Sequence, residues 1–235
     1  MVISNWGLDI FLIPFLSIFV DKNKIMQNQN LLSIAKRLQS IAQGGIFYSE
    51  DKPFDRERYE EISQLSVQIL SNLTDEPIEK IGNLFTQERD GYQTPKVDVR
   101  AVVFNEVGEI LMVKEKVDGC WSLPGGWADV GYTPSEVAVK EVREETGLEV
   151  KTVRLLAVID KKNHPHPPEG WYVYKIFILC EEIGGHILTD TTETSDIQYF
   201  NSKNLPPLSE PRNVYSQIKM MFEYRDDDKK EVYFD

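Results

Sequence analysis

Residues 125–148 read GGWADVGYTPSEVAVKEVREETGL, a glycine-rich turn running into a short helix that carries Glu141, Glu144 and Glu145. Thr133-Pro134-Ser135-Glu136 has the form of a capping box, with Thr133 as N-cap, Pro134 in the first helical position and Glu136 reaching back. Gly147 stands where a left-handed C-terminal stop belongs. Val137, Ala138 and Val142 give the helix an apolar side to lay against a sheet. At about 100° per residue, Glu141 and Glu145 lie about 40° apart around the axis, with Glu144 about 60° to the other side of Glu141. Such crowding is unfavourable in a purely structural helix, because like charges three and four residues apart repel. A divalent cation reverses the sign, since hard metals take oxygen ligands and work alongside substrate phosphates. Trp121-Ser122-Leu123-Pro124 reads as a short strand entering Gly125-Gly126, whose missing side chains let backbone approach a phosphate or metal closely. The stretch points to a metal-dependent site that transfers or cleaves phosphate; the plainer alternative is a surface helix rich in glutamate.

These residues resemble the Nudix box, the signature of hydrolases acting on a nucleoside diphosphate linked to another moiety. Anchored on Gly147, the pattern opens at Gly126 and continues through Glu141, Val142, Glu144, Glu145, Gly147 and Leu148. Two positions depart from it: Tyr132 replaces the first glutamate and Lys140 the arginine. Lys140 keeps the charge but not the planar, bidentate fork. The resemblance implies an α/β class, a Nudix α/β/α sandwich around a mixed sheet, preceded by a small N-terminal helical domain. It also implies Mg2+ (or Mn2+) as cofactor, with Glu141 and Glu145 as primary ligands. Glu144 completes the set directly or through water, and a backbone carbonyl of the glycine turn, assigned to Gly126, joins it.

The 235 residues are 41% hydrophobic with a net charge of −12, which fits a chain with one or two cores. The acidic balance argues against a large nucleic-acid surface, where a basic stripe is expected. A small phosphorylated substrate stays possible because a bound metal supplies local positive charge. Two cysteines, Cys120 and Cys180, without Cys-x-x-Cys spacing fit a reducing cytoplasm. The apolar run from Gly7 to Val20 invites a membrane reading. Asp9 and Pro14 interrupt it, no Lys or Arg precedes it, and it falls short of the ~20 residues a spanning helix needs. A docked or interfacial helix, or an extension upstream of Met26, fits better, and no membrane association is expected.

The expected organisation is an apolar extension over 1–25, a helical domain over 26–92 and a hydrolase domain over 93–235. Leu31, Ile34, Ala35, Leu38, Ile41 and Ala42 recur at helical spacing up to a stop at Gly44-Gly45. Tyr59, Ile62, Leu65, Ile69 and Leu73 mark a second helix. Thr74 caps a third, with Ile78, Ile81, Leu84 and Phe85. Strands are expected over 97–104, 110–115, 153–159, 171–180 and 197–200, with Asn105-Glu106-Val107-Gly108 turning the first two into a hairpin. A closing helix spans 211–224, and Asp226 to Lys230 reads as a solvated end. A helical preface this short is an economical subunit interface, so a homodimer is expected.

Hydrolysis also wants a general base. Glu193, in the polar loop Thr191-Thr192-Glu193-Thr194-Ser195, stands some six residues ahead of an aromatic, where Nudix enzymes often place a metal ligand or base; the alternative is a solvated loop carboxylate. Glu144 is the second catalytic candidate, and Asp129 a lesser extra ligand. His164 and His166 lie in a Pro-rich loop with Lys161 and Lys162. Too few ligands gather there for a transition metal, so the loop is expected to touch substrate. Arg100 faces either the substrate or the solvent. Trp127, Tyr132 and Trp171 either stack on a base or pack structurally. The expected activity is Mg-dependent cleavage of an X-linked nucleoside diphosphate, ADP-ribose or CDP-choline, to a nucleoside monophosphate and a phosphorylated partner. A nucleotide-sensing module without turnover and an RNA-end hydrolase are the rivals.

Overall fold

The computed structural model describes residues 13–74, 82, 92, 94–189 and 191–235, apart from the side chains of 13–29 and of Thr74. The chain forms two compact units that part between Gln93 and Thr94.

The first unit is an antiparallel pair of helices, α1 (Ile13–Tyr48) and α2 (Pro53–Thr74). The helix expected to stop at Gly44-Gly45 instead runs straight through both glycines. The reason is helix–helix contact: a Cβ on Gly45 would lie 2.3 Å from the Tyr59 ring of α2. The glycine is there for close approach, not for termination. Ala35 and Ala42 are fully buried, and Ser66 Oγ donates to the Ala35 carbonyl at 2.9 Å across the pair. Leu31, Ile34, Ile41 and Leu65, expected inward, stand exposed. Small residues thus bring the helices close, and Leu70, with Leu32, Val67 and Ile69 around it, fills the contact beside Ala35. Residues 13–25 continue α1 without a break at the expected boundary. Residues 7–12 of the apolar run, and the third helix expected on Ile78, Ile81, Leu84 and Phe85, lie outside the described residues. Among the described residues no helix is long and apolar enough to cross a membrane.

The second unit contains β1 (Lys96–Val103), β2 (Ile110–Glu115), β3 (Trp121–Ser122), β4 (Gly125–Trp127), α3 (Pro134–Thr146), β5 (Leu148–Asp160), β6 (Val173–Gly185), β7 (Thr194–Phe200), α4 (Tyr215–Asp226) and β8 (Tyr233–Phe234). The order β4-β1-β6-β5-β8 makes a mixed sheet, parallel at β1/β6 and β5/β8 and antiparallel elsewhere; β3-β2-β7 makes a second sheet. The turn expected at 105–108 forms, with Gly108 N–H donating to the Asn105 carbonyl at 2.9 Å and Asn105 N–H to that of Glu109 at 3.0 Å, but β1 and β2 make no ladder beyond it. Both edges of β1 are taken by β4 and β6, and only a bridge from Phe104 to Ile110 joins the two sheets there.

Side-chain alternation on these strands creates two cores. Val99, Ala101, Val103, Leu111, Val113 and Ile178 pack against Val137, Ala138 and Val142 of α3. Val102, Met112, Leu156, Phe177 and others pack with Ile218, Met221 and Phe222 of α4. Helices therefore cover both faces, the α/β/α sandwich expected. The acidic tail is no loose end: Arg154 donates to the carbonyls of Asp227 and Asp228, and β8 then pairs with β5.

Gly45→Ala is expected to destabilise the helical pair by about 1–3 kcal/mol, the usual range for overpacking. Gly45→Ala with Tyr59→Ser should recover most of that loss. Thermal unfolding followed by helical circular dichroism tests it; an unchanged midpoint in Gly45→Ala refutes the contact.

Candidate active site

α3 starts and ends as its sequence dictates. Thr133 and Glu136 close the capping box reciprocally, and Gly147 adopts φ +79° as the stop. Its buried valines fix its rotation, which turns Glu141 and Glu145 toward the β3–β4 turn. Glu145 is only 5% exposed, and its Oε2 accepts the Gly125 N–H at 2.9 Å. Gly125 sits at φ +144°, and a Cβ there would lie 2.0 Å from the Val99 carbonyl oxygen, so only glycine fits. A Cβ on Gly126 would lie 3.3 Å from the Glu141 carboxyl, which places that carboxyl directly over the turn.

The hydrogen bonds from Ala101 N–H to the Pro124 carbonyl and from Ala128 N–H to the Val97 carbonyl, each 2.8 Å, flank the pair Val99–Gly126. Ladder alternation then turns the backbone of Gly126 toward β1 and that of Gly125 outward. The outward carbonyl of the turn is thus Gly125's, one residue from the Gly126 expected to join a metal.

Glu144 is exposed, and Lys140 Nζ sits between it and Glu141, at 3.2 and 3.4 Å. Lys140 also reaches Asp129 at 3.5 Å, an ion pair between the box loop and the helix. At the two positions that depart from the pattern, Lys140 thus keeps a carboxylate partner in the box loop, and Tyr132 is left 50% exposed. Among the described residues no three His, Cys, Asp or Glu side chains converge on one point. The chemistry of the donors nonetheless fits a hard divalent cation. Burial pushes the Glu145 carboxyl up to about 8, and burial likewise raises Glu141 against the pull of Lys140. A buried and a half-buried carboxyl group whose pKa values stay raised despite these partners are what a nearby cation would stabilise in ionised form.

Glu193 is exposed on a loop tied to the end of α3. Thr194 Oγ1 donates to the Glu145 carbonyl at 3.0 Å, and Lys116 N–H donates to the Glu193 carbonyl at 3.0 Å. The structure therefore brings the Glu193 loop to the same helix end as Glu145.

Four expected substrate contacts turn inward instead. Arg100 is buried: its Nε donates to Asp98 at 2.9 Å and its Nη1 to the Leu123 carbonyl at 3.0 Å. Lys161 is buried against Glu169 at 2.6 Å. His166 has both ring nitrogens engaged, Nδ1 with the Glu210 carbonyl at 2.6 Å and Nε2 with Gln217 at 2.7 Å. Burial holds its pKa down at about 4, so it is neutral and ties the loop to α4. His164 lies 3.3 Å from Asp235 at the end of β8. The positive groups of this loop fold the loop. Trp127, 51% exposed, remains at the surface with Tyr132.

Sequence reading missed the charges inside the sheet. Lys175, fully buried, pairs with Asp98, and Glu115 accepts from Ser122 Oγ at 2.6 Å and pairs with Arg212 at 2.8 Å. The signal was present: Asp98 and Arg100 alternate with Val97, Val99 and Ala101 on a strand that otherwise reads as core.

Residues 94–221 match the profile of the NUDIX domain, and residues 29–85 match that of the UDP-X-like N-terminal oligomerisation domain. The chain belongs to the Nudix hydrolases. A Bacillus subtilis (strain 168) protein with the provisional name ADP-ribose pyrophosphatase YjhB is 45% identical over 203 residues, 86% of this chain and 96% of its own length. A crystal structure of an ADP-ribose pyrophosphatase from Streptococcus suis 89-1591 matches at TM-score 0.55 and 42% identity, over 60% of this Nudix hydrolase and all of that chain. A crystal structure of a UDP-X diphosphatase matches at TM-score 0.57 and 31% identity, over 88% of this chain and 99% of that one. As a Nudix hydrolase the protein cleaves phosphoric anhydride bonds, a reaction the family generally runs with a divalent metal.

Because its folded-state value is the higher one, the Glu145 carboxyl stabilises this Nudix fold below its ordinary value of 4.5, and that contribution is lost as pH rises through about 8. Glu145→Gln, which keeps an acceptor for Gly125 N–H, should therefore stabilise the metal-free protein above about pH 8 by on the order of 2 kcal/mol. The gain should shrink toward about pH 5. Urea denaturation of both proteins at the two pH values measures it; a pH-independent difference refutes the buried state of Glu145.

Proposed function

We propose that this chain is a Mg2+-dependent pyrophosphohydrolase of X-linked nucleoside diphosphates, with ADP-ribose as its leading substrate. The observation that carries the reading is the Glu145 carboxyl locked to Gly125 N–H with Glu141 over Gly126, two acidic groups held against a backbone turn. The names of the Bacillus subtilis and Streptococcus suis relatives support ADP-ribose ahead of CDP-choline. Glu141 and Glu145 would hold the metal, Glu144 would complete the set directly or through water, and the outward Gly125 carbonyl, in place of that of Gly126, would join them. Bound there, the cation supplies positive charge to the diphosphate oxygens and acidifies water. Glu193 takes the proton of the attacking water as its oxygen bonds to phosphorus. The bridging P–O bond breaks, leaving a nucleoside monophosphate and a phosphorylated partner, AMP and ribose 5-phosphate from ADP-ribose.

The division of labour follows the chain: 26–92 for assembly and 93–235 for hydrolysis, behind an apolar N-terminal extension over 1–25. Leu31, Ile34 and Ile41, exposed on α1, support a homodimer through this region. Free thiols at Cys120 and Cys180 suit a cytoplasmic home. Light scattering should give twice the 27.1 kDa chain mass, and a monomer at micromolar concentration would remove the dimer.

A substrate panel of ADP-ribose, CDP-choline and a UDP-sugar with Mg2+ should show product from ADP-ribose first. Glu145→Gln should lower that turnover by about two to three orders of magnitude. Binding of ADP-ribose without product in the wild type would favour a sensing module instead.

A further inference from the structure

Trp127 is the residue next to Gly126 on β4, yet half of its surface is open to solvent. An indole left so exposed forgoes much of the stabilisation its burial would bring. Its position is nonetheless fixed by rigid structure. It pairs with Asp98 in the β1 ladder, and Ala128 N–H donates to the Val97 carbonyl at 2.8 Å just beyond it. Lys96, two residues before Asp98 and so on the same face of β1, places its Nζ 5.9 Å from the Trp127 ring centroid. The same ammonium lies 4.4 Å from the ring of Trp171. One cation therefore stands against two indoles, at the sheet end where β4 leaves the glycine turn.

Alternation along β4 puts the side-chain positions of Gly126 and Trp127 on opposite faces. Gly126 faces Glu141 and α3; Trp127 faces away, alongside Lys96. β4 is the edge strand of its sheet, so nothing in that sheet lies beyond it. A ligand that meets the acidic ridge and Trp127 together must pass around this free edge. A nucleoside diphosphate has the form to do so, with an anionic end for the ridge, a flexible ribose for the bend and a flat heterocycle for the indole.

We infer that the nucleotide substrate wraps around edge strand β4 and stacks its base on Trp127, with Lys96, itself held over Trp171, beside that ring. The inference rests on the reaction proposed above but concerns a different contact. Stacking on an aromatic face accepts any base and scales with ring size, so the site favours purines over pyrimidines. Lys96 and Trp171 are positioning residues in this arrangement, whereas Trp127 touches the ligand.

The test uses AMP and ribose 5-phosphate as probes, titrated calorimetrically into the full chain with Mg2+. Trp127→Leu keeps an apolar side chain without a flat face, and Trp127→Phe keeps a smaller ring. AMP should bind Trp127→Leu at least about tenfold more weakly than wild type, with Trp127→Phe between them. Ribose 5-phosphate affinity should be the same in all three. In turnover, Trp127→Leu should raise KM for ADP-ribose about tenfold with kcat within about twofold. Equal AMP affinity in wild type and a folded Trp127→Leu overturns the inference, as does equal loss for AMP and ribose 5-phosphate. Undetectable AMP binding by wild type at millimolar concentration overturns it too. If wild type hydrolyses ADP-ribose while AMP affinity ignores Trp127, only the subsite falls. If AMP affinity follows Trp127 but no nucleoside diphosphate is cleaved, the reaction falls and the subsite stands.

Discussion

The hydrogen bond from Gly125 N–H to the Glu145 carboxyl joins the two halves of the site, the β3–β4 turn and the ridge of α3. It exists because two independent constraints meet. A tight backbone contact with Val99 permits no side chain at Gly125, and the buried valines of α3 fix which face of the helix looks at the turn. Either constraint alone would leave a flexible carboxylate near a flexible loop. Together they hold a carboxyl in a nearly dry position, where burial raises its pKa to about 8. That raised value expresses a conflict between fold and charge, and a cation is the ligand that resolves it.

The departures from the Nudix pattern gain a physical account in the loop between β4 and α3. The pattern's Glu and Arg could pair through the planar fork of arginine; here Asp129 and Lys140 make a single contact at 3.5 Å between loop and helix. Lys140 also screens Glu141 from Glu144, and the hydrogen bond to Glu144 foremost raises its pKa. Moving the acidic partner from 132 to 129 releases position 132 for an aromatic side chain. Loss of the consensus residues therefore keeps the link between loop and helix, which weighs against reading them as decay of the site.

Much of this was legible in the sequence, and what was not has definite causes. The capping box, the stop at Gly147 and the inward face of α3 depend on residues within a few positions of each other, so local rules suffice. Gly44-Gly45 misled because a glycine pair signals a helix end locally, while its actual neighbour, Tyr59, lies on another helix. The turn at 105–108 is local and was legible, but the ladder of β1 with β2 is missing for the same reason: pairing with β4 and β6 is a long-range competition that a short turn cannot reveal. Lys161, His166 and Arg100 looked like ligand contacts because charge in a strand or loop usually faces outward. Lys161 instead meets Glu169 inside the loop, His166 meets Gln217 far away in sequence, and Arg100 turns into the sheet to Asp98 beside it and to the distant Leu123 carbonyl.

The interior charges behind the site explain why Arg100 belongs to the protein and not to the substrate. Burial disfavours its charge, yet Asp98 first, then Glu145 and Glu115, raise its pKa above the ordinary value. Asp98 is in turn held below its usual range by Arg100 and Lys175 against the cost of burial. A guanidinium fixed in this way is costly to swing out to a ligand, since withdrawing it would leave the buried Asp98 with Lys175 as its remaining cationic partner. Its effect reaches the site through the field it exerts on Glu145, where it opposes the desolvation that raises that carboxyl. Arg100 thus favours the ionised state that a cation needs while the fold favours the neutral one. The poise between them makes Glu145 responsive to what binds at the turn.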